Sequence, residues 1–284
     1  MAIDNAENRE FVFTQQDFDR IRKMIYDHAG ISLGPHKFDM VYSRVARRLR
    51  ANKLQSFTEY LDLLAHSPAN EWEAFVNSLT TNLTAFFREP HHFPLLAEHI
   101  RQIKGKRPVS LWCSAASTGE EPYSMAMTMA DLYGNISPQV KILATDLDTN
   151  VLAKGRAGVY PFDRLEKVPT DLLKRYFLKG SGPQDGQGKV RDELRNMITF
   201  RQLNLLDEHW PIQGPFDAIF CRNVMIYFDK ETQYKILKKF VPLLRPDGLL
   251  FAGHSESFSH ATDLFTPRGQ TVYVLSNKVK KAAG

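Results

Sequence analysis

Two apolar runs, VSLWC (109–113) and VKILATD (140–146), flank a stretch with helical periodicity, STGEEPYSMAMTMADLY (117–133). Strand, helix and strand in that order require a crossover, which makes the strands parallel and lays the helix on one face of a sheet. Further strand signals follow at MITFRQLN (197–204), FDAIFCRN (216–223), GLLFAGHS (248–255) and TVYVLSN (271–277), with a helix from Lys230 to Leu244. Residues 108–284 therefore read as a doubly wound, Rossmann-like α/β domain. Between its second and third strands lies an excursion of about 160–195 that contains KGSGPQDGQGKV (179–190). Loops of that length without structure are uncommon, so an inserted subdomain is expected, with KVRDEL as part of a short antiparallel piece.

Residues 1–87 carry helical periodicity and no convincing strand. Thr14 is placed to cap a helix whose apolar stripe is Phe18, Ile21 and Ile25, ending at Gly30. A second helix follows Pro35, with Met40 or Val41, Val45 and Leu49 inward and Arg44, Arg47, Arg48 and Arg50 on the remaining circumference. Ser56 and Glu59 have capping-box spacing before a third helix, and Trp72, Phe75, Val76 and Leu79 mark a fourth. This segment reads as an all-α N-terminal domain, with 88–107 as a connecting helix and turn.

At 284 residues and 43% hydrophobic, the chain is long enough for two such units. No run approaches the roughly 18 apolar residues of a membrane span, and MAIDNAENRE offers no signal-peptide core. A cytoplasmic protein without membrane insertion is expected. Cys113 and Cys221 are too few for a disulfide framework and match no metal-ligand spacing, so no metal is expected. The net charge of +5 favours an acidic partner, whether protein or nucleic acid.

Ligands of open α/β sheets bind beyond the carboxyl ends of the strands. After the first strand, SAASTGEE (114–121) is small and acidic; Gly119 lets the main chain approach a ligand, while Glu120 and Glu121 would repel a pyrophosphate and suit an amino-bearing one. Alternatively Ser117 or Thr118 caps the helix. After the second, Asp146 can accept both hydroxyls of a ribose, and Asp148 reads as the next helix cap. Asn204 and Leu205 after the third could meet an adenine edge and face. The fourth ends in Arg222 and Asn223, with Tyr227 beyond, a polar pair at a buried strand end that needs partners. Ahead of the sheet, Asn82, Thr84 and Arg88 surround a Phe pair, either as site residues or on an exposed helix.

These residues resemble the CheR family of chemotaxis receptor glutamate methyltransferases. The resemblance is carried by TTNLTAFFRE (80–89), SAASTGEEPYS (114–124), ATDLD (144–148), FDAIFCRNVMIYFD (216–229) and LLRPDGLLFAGHSE (243–256). It implies a helical domain followed by an S-adenosylmethionine-binding domain with a small antiparallel insertion. It further implies transfer of the cofactor's methyl group to glutamate carboxylates of methyl-accepting chemotaxis receptors, leaving S-adenosylhomocysteine. By that resemblance Asn82, Thr84 and Arg88 border the methionine end, Glu121 holds the amino group, Asp146 the ribose, and Asn204 with Leu205 the adenine. Arg222, Asn223 and Tyr227 close the site, and Arg88 and Tyr227 are the catalytic candidates. Arg44, Arg47, Arg48 and Arg50 would dock on the receptor's cytoplasmic helical bundle, the insertion would hold a receptor tail peptide, and recruitment to membrane-bound receptor arrays is implied; nothing in the pattern demands more than a monomer. Competing readings are a nucleic-acid methyltransferase, which would want aromatic residues among the arginines, and a non-catalytic receptor-binding adaptor.

Overall fold

The structure is a computed structural model that describes residues 9–66, 69–80 and 82–282. Thr81, within the TTNLTAFFRE run, lies outside the described residues. Two compact units meet in the chain between Thr81 and Asn82, ahead of the division after residue 87 that the sequence suggests.

The first unit holds α1 (Gln15–Ala29), α2 (Phe38–Ala51), α3 (Phe57–His66) and α4 (Ala69–Leu79). Thr14 caps α1 in a reciprocal box with Asp17, and Gly30 closes it in the left-handed conformation. The apolar stripes bury Phe18, Ile21, Ile25, Val41, Val45, Leu49, Tyr60 and Phe75 completely. Arg44 and Arg48 depart from the expected outward face. Arg44 donates through Nη1 to the carbonyls of Leu79 and Thr80 at 3.1 and 2.7 Å, satisfying the open end of α4. Arg48 forks onto Glu71 at 3.1 and 2.7 Å, and the buried Tyr60 hydroxyl donates to the same carboxylate at 2.7 Å. Burial pushes the Glu71 carboxyl up, but Arg48 and Tyr60 outweigh it and hold it below its ordinary value. Arg47 and Arg50 are the exposed pair, Arg50 bonded to Glu10.

The second unit is built on a seven-stranded sheet. In chain order its strands are β1 (Val109–Cys113), β2 (Val140–Asp146), β6 (Ile198–Gln202), β7 (Phe216–Cys221), β8 (Leu244–Ala252), β9 (Phe265–Gly269) and β10 (Val272–Leu275). Spatially the order is β6-β2-β1-β7-β8-β10-β9, parallel from β6 to β8, with β10 antiparallel to β8 and β9 antiparallel to β10. Alternation along β1 sends Leu111 and Cys113 into one core and Trp112 into the other. Helices α5 (His92–Ile103), α6 (Glu120–Tyr133) and α7 (Thr149–Ala157) precede or bridge the early strands, α11 (Lys230–Phe240) precedes β8, and α12 (Asn277–Ala282) follows β10. The segment 88–107 is more than a connector: Phe93, Leu96 and Ile100 bury α5 in the same core as Met125, Met127 and Met129 of α6. β9 has no counterpart among the strand signals. It contains Pro267, and as the outer strand it can carry a residue that donates no hydrogen bond.

The excursion after β2 does fold as a subdomain. β3 (Val159–Pro161), β4 (Phe177–Lys179) and β5 (Gln187–Val190) make an antiparallel sheet with β5 central, accompanied by α8 (Phe162–Leu165), α9 (Thr170–Tyr176) and α10 (Asp192–Arg195). Only the Lys-Val of KVRDEL is strand; Asp192 onward turns into α10.

Candidate functional site

The carboxyl ends of β1, β2, β6 and β7 share one rim of the sheet, and the residues that follow them are tied to one another by short bonds. After β1, Ser114 donates from its backbone to the Phe220 carbonyl at 2.8 Å, and Ala116 to the Thr145 carbonyl at 2.8 Å. Ser117, at φ 48°, then donates its backbone N–H to Asp146 Oδ2 at 2.8 Å. Gly119 is the N-cap of α6 at φ 98° and receives no side-chain bond, so neither Ser117 nor Thr118 caps the helix. A Cβ at Gly119 would lie 2.8 Å from the Tyr160 hydroxyl and 3.0 Å from the Gly155 Cα, so only glycine fits. Tyr160 in turn donates to the Thr118 carbonyl at 2.7 Å, so the inserted subdomain braces this turn from outside.

The two acids after β1 diverge. Glu120 is held by Arg164 of the insertion at 2.7 Å and by the Thr118 hydroxyl at 2.6 Å, which makes it a tie to α8. Glu121 points along the rim, where Oε2 accepts from Arg222 Nη1 at 2.6 Å and Oε1 from the Cys113 thiol at 3.2 Å. Burial pushes the Glu121 carboxyl up and Arg222 draws it back. Asp146, at the end of β2, accepts from Ser117 and from the Asp148 backbone at 3.0 Å, and burial pushes its carboxyl up to about 6. Asp148 caps α7 through the N–H groups of Asn150 and Val151 and accepts from Asn82 Nδ2 at 2.9 Å. Asn82 also accepts from Ser117 Oγ at 3.1 Å through its carbonyl. Asn82 and the ends of β1 and β2 are thus one bonded group, with Thr84 half-buried nearby in sequence.

Arg222, at the end of β7, is buried among the residues of the rim. Its side chain is 0% exposed, with Glu121 on Nη1, the Arg88 carbonyl on Nη2 and Glu89 Oε2 at 3.3 Å. It is a strut that holds Glu121 and the Arg88 turn together. Phe87 and Glu89 both sit at positive φ, 50° and 52°, so the chain kinks on either side of Arg88, whose Nη1 reaches the Leu83 carbonyl at 2.8 Å. Asn223, at φ 58°, donates its N–H to Glu256 Oε2 at 2.9 Å. Tyr227 is half-buried in the 3₁₀ turn Met225–Tyr227. Asn204 braces its own turn by accepting from the Leu206 N–H at 3.0 Å, and Leu205 is buried beside it in sequence. The four α2 arginines belong to the first unit.

Two acids at this rim were not singled out from the sequence. Glu256 is buried and accepts the backbone N–H groups of Asn223 and Met225, at 2.9 and 2.8 Å, and of Gly253, fixing the turn after β7. Glu89 accepts from His254 Nδ1 at 3.0 Å. Burial raises Glu89, but His254 and Arg222 outweigh it and hold it at about 2. Both lie inside runs quoted above, and only their neighbours in space reveal their work.

The donor set suits S-adenosylmethionine. A buried carboxylate at Glu121 and a half-buried one at Asp146 match an ammonium and a ribose diol. A family profile described as the CheR methyltransferase SAM-binding domain matches residues 82–274, and one described as the CheR methyltransferase all-alpha domain matches 16–80. The chain is 58% identical over 260 residues to a chemotaxis protein methyltransferase of Escherichia coli (strain K12), covering 91% of this chain and 90% of that one. It is 55% identical over 267 residues to chemotaxis protein methyltransferase 2 of Pseudomonas aeruginosa, covering 94% and 95%. To a chemotaxis protein methyltransferase of Salmonella typhimurium it is 56% identical over 260 residues, covering 91% and 90%.

Proposed function

Because the chain belongs to the CheR methyltransferase family, we propose that it moves the methyl group of S-adenosylmethionine onto glutamate side chains of chemotaxis receptors. The observation that carries the reading is the braced rim, where Glu121 and Asp146 flank a turn that only Gly119 can occupy.

In this reading Glu121 takes the cofactor's amino group, Asp146 the ribose hydroxyls, and Asn204 with Leu205 the adenine. Asn82 and Thr84 border the methionine end, Asn223 and Tyr227 wall the reacting side, and Arg222 orients Glu121. The bound cofactor supplies a methyl on a sulfonium, already a good leaving group. A glutamate carboxylate is ionised at neutral pH, so the protein needs no general base for it. What remains is alignment and exclusion of water. Arg88 offers a two-point fork to a carboxylate, the substrate's or the cofactor's, from a turn whose two kinks fix its direction. On α2, Arg47 and Arg50 are the side chains turned outward for an acidic receptor face, whereas Arg44 and Arg48 are spent inside the helical unit. The three-stranded insertion has outer strands β3 and β4, either of which can accept an extended receptor tail.

With methyl-labelled S-adenosylmethionine and receptor cytoplasmic fragments, label is expected on the receptor and should leave as methanol in mild base. Arg88→Ala should slow incorporation at least about a hundredfold. Base-stable label, or label on RNA in a parallel incubation, would refute carboxyl methylation. A second result concerns pH. Asp146 accepts from both hydroxyls only when ionised, and its carboxyl stands at about 6. Affinity for S-adenosylhomocysteine should therefore hold above pH 6 and fall below it, approaching about tenfold per pH unit. Asp146→Asn should bind weakly and lose that slope; an unaltered slope would remove Asp146 from the ribose position.

A further inference from the structure

Glu89, His91 and His92 bring a carboxylate and two imidazoles into one cluster whose ligand-type atoms lie within 4.8 Å of one another. His92 is wholly buried. Its Nε2 faces the Gln270 carbonyl at 2.9 Å, and a carbonyl only accepts, so Nε2 carries the hydrogen. That leaves Nδ1 as a lone pair. Nδ1 points toward Glu89 Oε2 at 3.8 Å, and among the described residues neither atom has a hydrogen-bond partner. Two electron-rich atoms facing each other in a buried place make a costly arrangement unless something positive lies between them. Protonating His92 is the poorer remedy, because it would place a second buried cation beside the Arg222 guanidinium. Arg222 supplies part of the positive charge, 3.3 Å from the same Oε2, but it does not reach Nδ1.

We propose that Glu89, His91 and His92 bind one divalent cation of the zinc class, which takes Glu89 as a ligand in competition with Arg222. Two imidazoles and one carboxylate are a zinc-like donor set, whereas calcium and magnesium prefer oxygen alone. Zinc–ligand distances of about 2.0–2.2 Å let one ion bridge the gap between Nδ1 and Oε2. The His92 Nε2–H bond to Gln270 fixes the tautomer and ring orientation, as the outer bond of a metal-bound histidine does. His91 is exposed and free to swing in, and the exposed His254, already on Glu89 Oε1, stands at the open side. Since Arg222 also holds Glu121, a cation on Glu89 weakens the strut under the proposed cofactor site.

Tag-free, metal-stripped full-length protein would be titrated with cobalt(II) alone and then challenged with zinc(II). One equivalent should bind with the visible absorption of four-coordinate cobalt, and zinc should displace it. His91→Ala, at an exposed position, and His92→Gln should each weaken binding by at least about tenfold. Absence of saturable binding, a six-coordinate spectrum, or unchanged affinity in both variants would overturn the site. S-adenosylhomocysteine should bind several-fold more weakly to zinc-loaded protein, and His91→Ala should lose that effect at the same zinc concentration. Equal affinity with and without zinc in the parent would overturn the competition for Glu89.

Discussion

Arg222→Met is expected to cost about 3–5 kcal/mol of stability and to abolish measurable cofactor binding. Methionine keeps an unbranched apolar stem and removes the charged fork. Its introduction leaves Glu121 with only the Cys113 thiol, removes the guanidinium from Glu89, and leaves the Arg88 carbonyl without its donor. Burial already pushes the Glu121 carboxyl up, and removing Arg222 pushes it further, which weakens its hold on an ammonium. Arg222→Lys keeps the charge but not the fork, and cannot serve Glu121 and the Arg88 carbonyl together, so its loss should be intermediate. Urea unfolding and calorimetric titration with S-adenosylhomocysteine read the two effects. A Met variant within about 1 kcal/mol of the parent, binding normally, would disprove the strut.

Asp217→Asn should cost a similar amount, about 3–5 kcal/mol, and leave cofactor affinity as it was. Asp217 is the second residue of β7, at the end opposite the rim, and its side chain is 0% exposed. Its carboxylate gathers Arg107 Nε and Nη2 at 3.0 and 2.8 Å, Arg245 Nε at 3.1 Å and the Ser110 N–H at 2.9 Å. Asparagine keeps the shape but removes the charge, and its NH₂ group confronts donors whichever way the amide turns. Trp112 and Trp210, packed 5.4 Å apart in the second unit, give a fluorescence signal for its unfolding. Comparing the two variants separates the roles. Equal stability loss with unequal binding loss is the expected pattern, and a binding defect in Asp217→Asn would mean that the rim depends on the whole sheet.

The parts of this protein that were legible in its sequence are those set by local period and by chain ends. β1, α6 and β2 are written as alternation, helical repeat and alternation, and Thr14 and Gly30 punctuate α1 where capping chemistry requires. Asp146 and Asn223 draw notice because a polar residue at the end of an apolar strand needs a reason, and Glu121 because an acid in the first turn after β1 suits an amino-bearing ligand. Arg222 stood out equally, but its direction did not follow, since nothing local says whether a guanidinium turns toward the ligand or under it. Arg44 and Arg48 misled for a related reason. A helical projection puts them beside the apolar stripe, and only the approach of α4 supplies the carbonyls and Glu71 that turn them inward. Glu256 was invisible because its partners are backbone N–H groups from two separate turns, a property of the fold and of no residue type.

The order of the strands also imposes an order in time. β1 is flanked by β2 on one side and β7 on the other, so the partners on its second side, Leu111↔Ala218 and the two pairs after it, lie far downstream in the chain. At roughly 5–20 residues per second of synthesis, the newly made β1–β2 pair waits on the order of 4–15 seconds before β7 leaves the ribosome. Throughout that interval an apolar strand edge, Val109 to Cys113, stands open to any other strand in reach. The same edge later lies beneath the cofactor rim, so a chain stopped anywhere before residue 216 should be caught by chaperones or aggregate instead of persisting as a smaller binding domain.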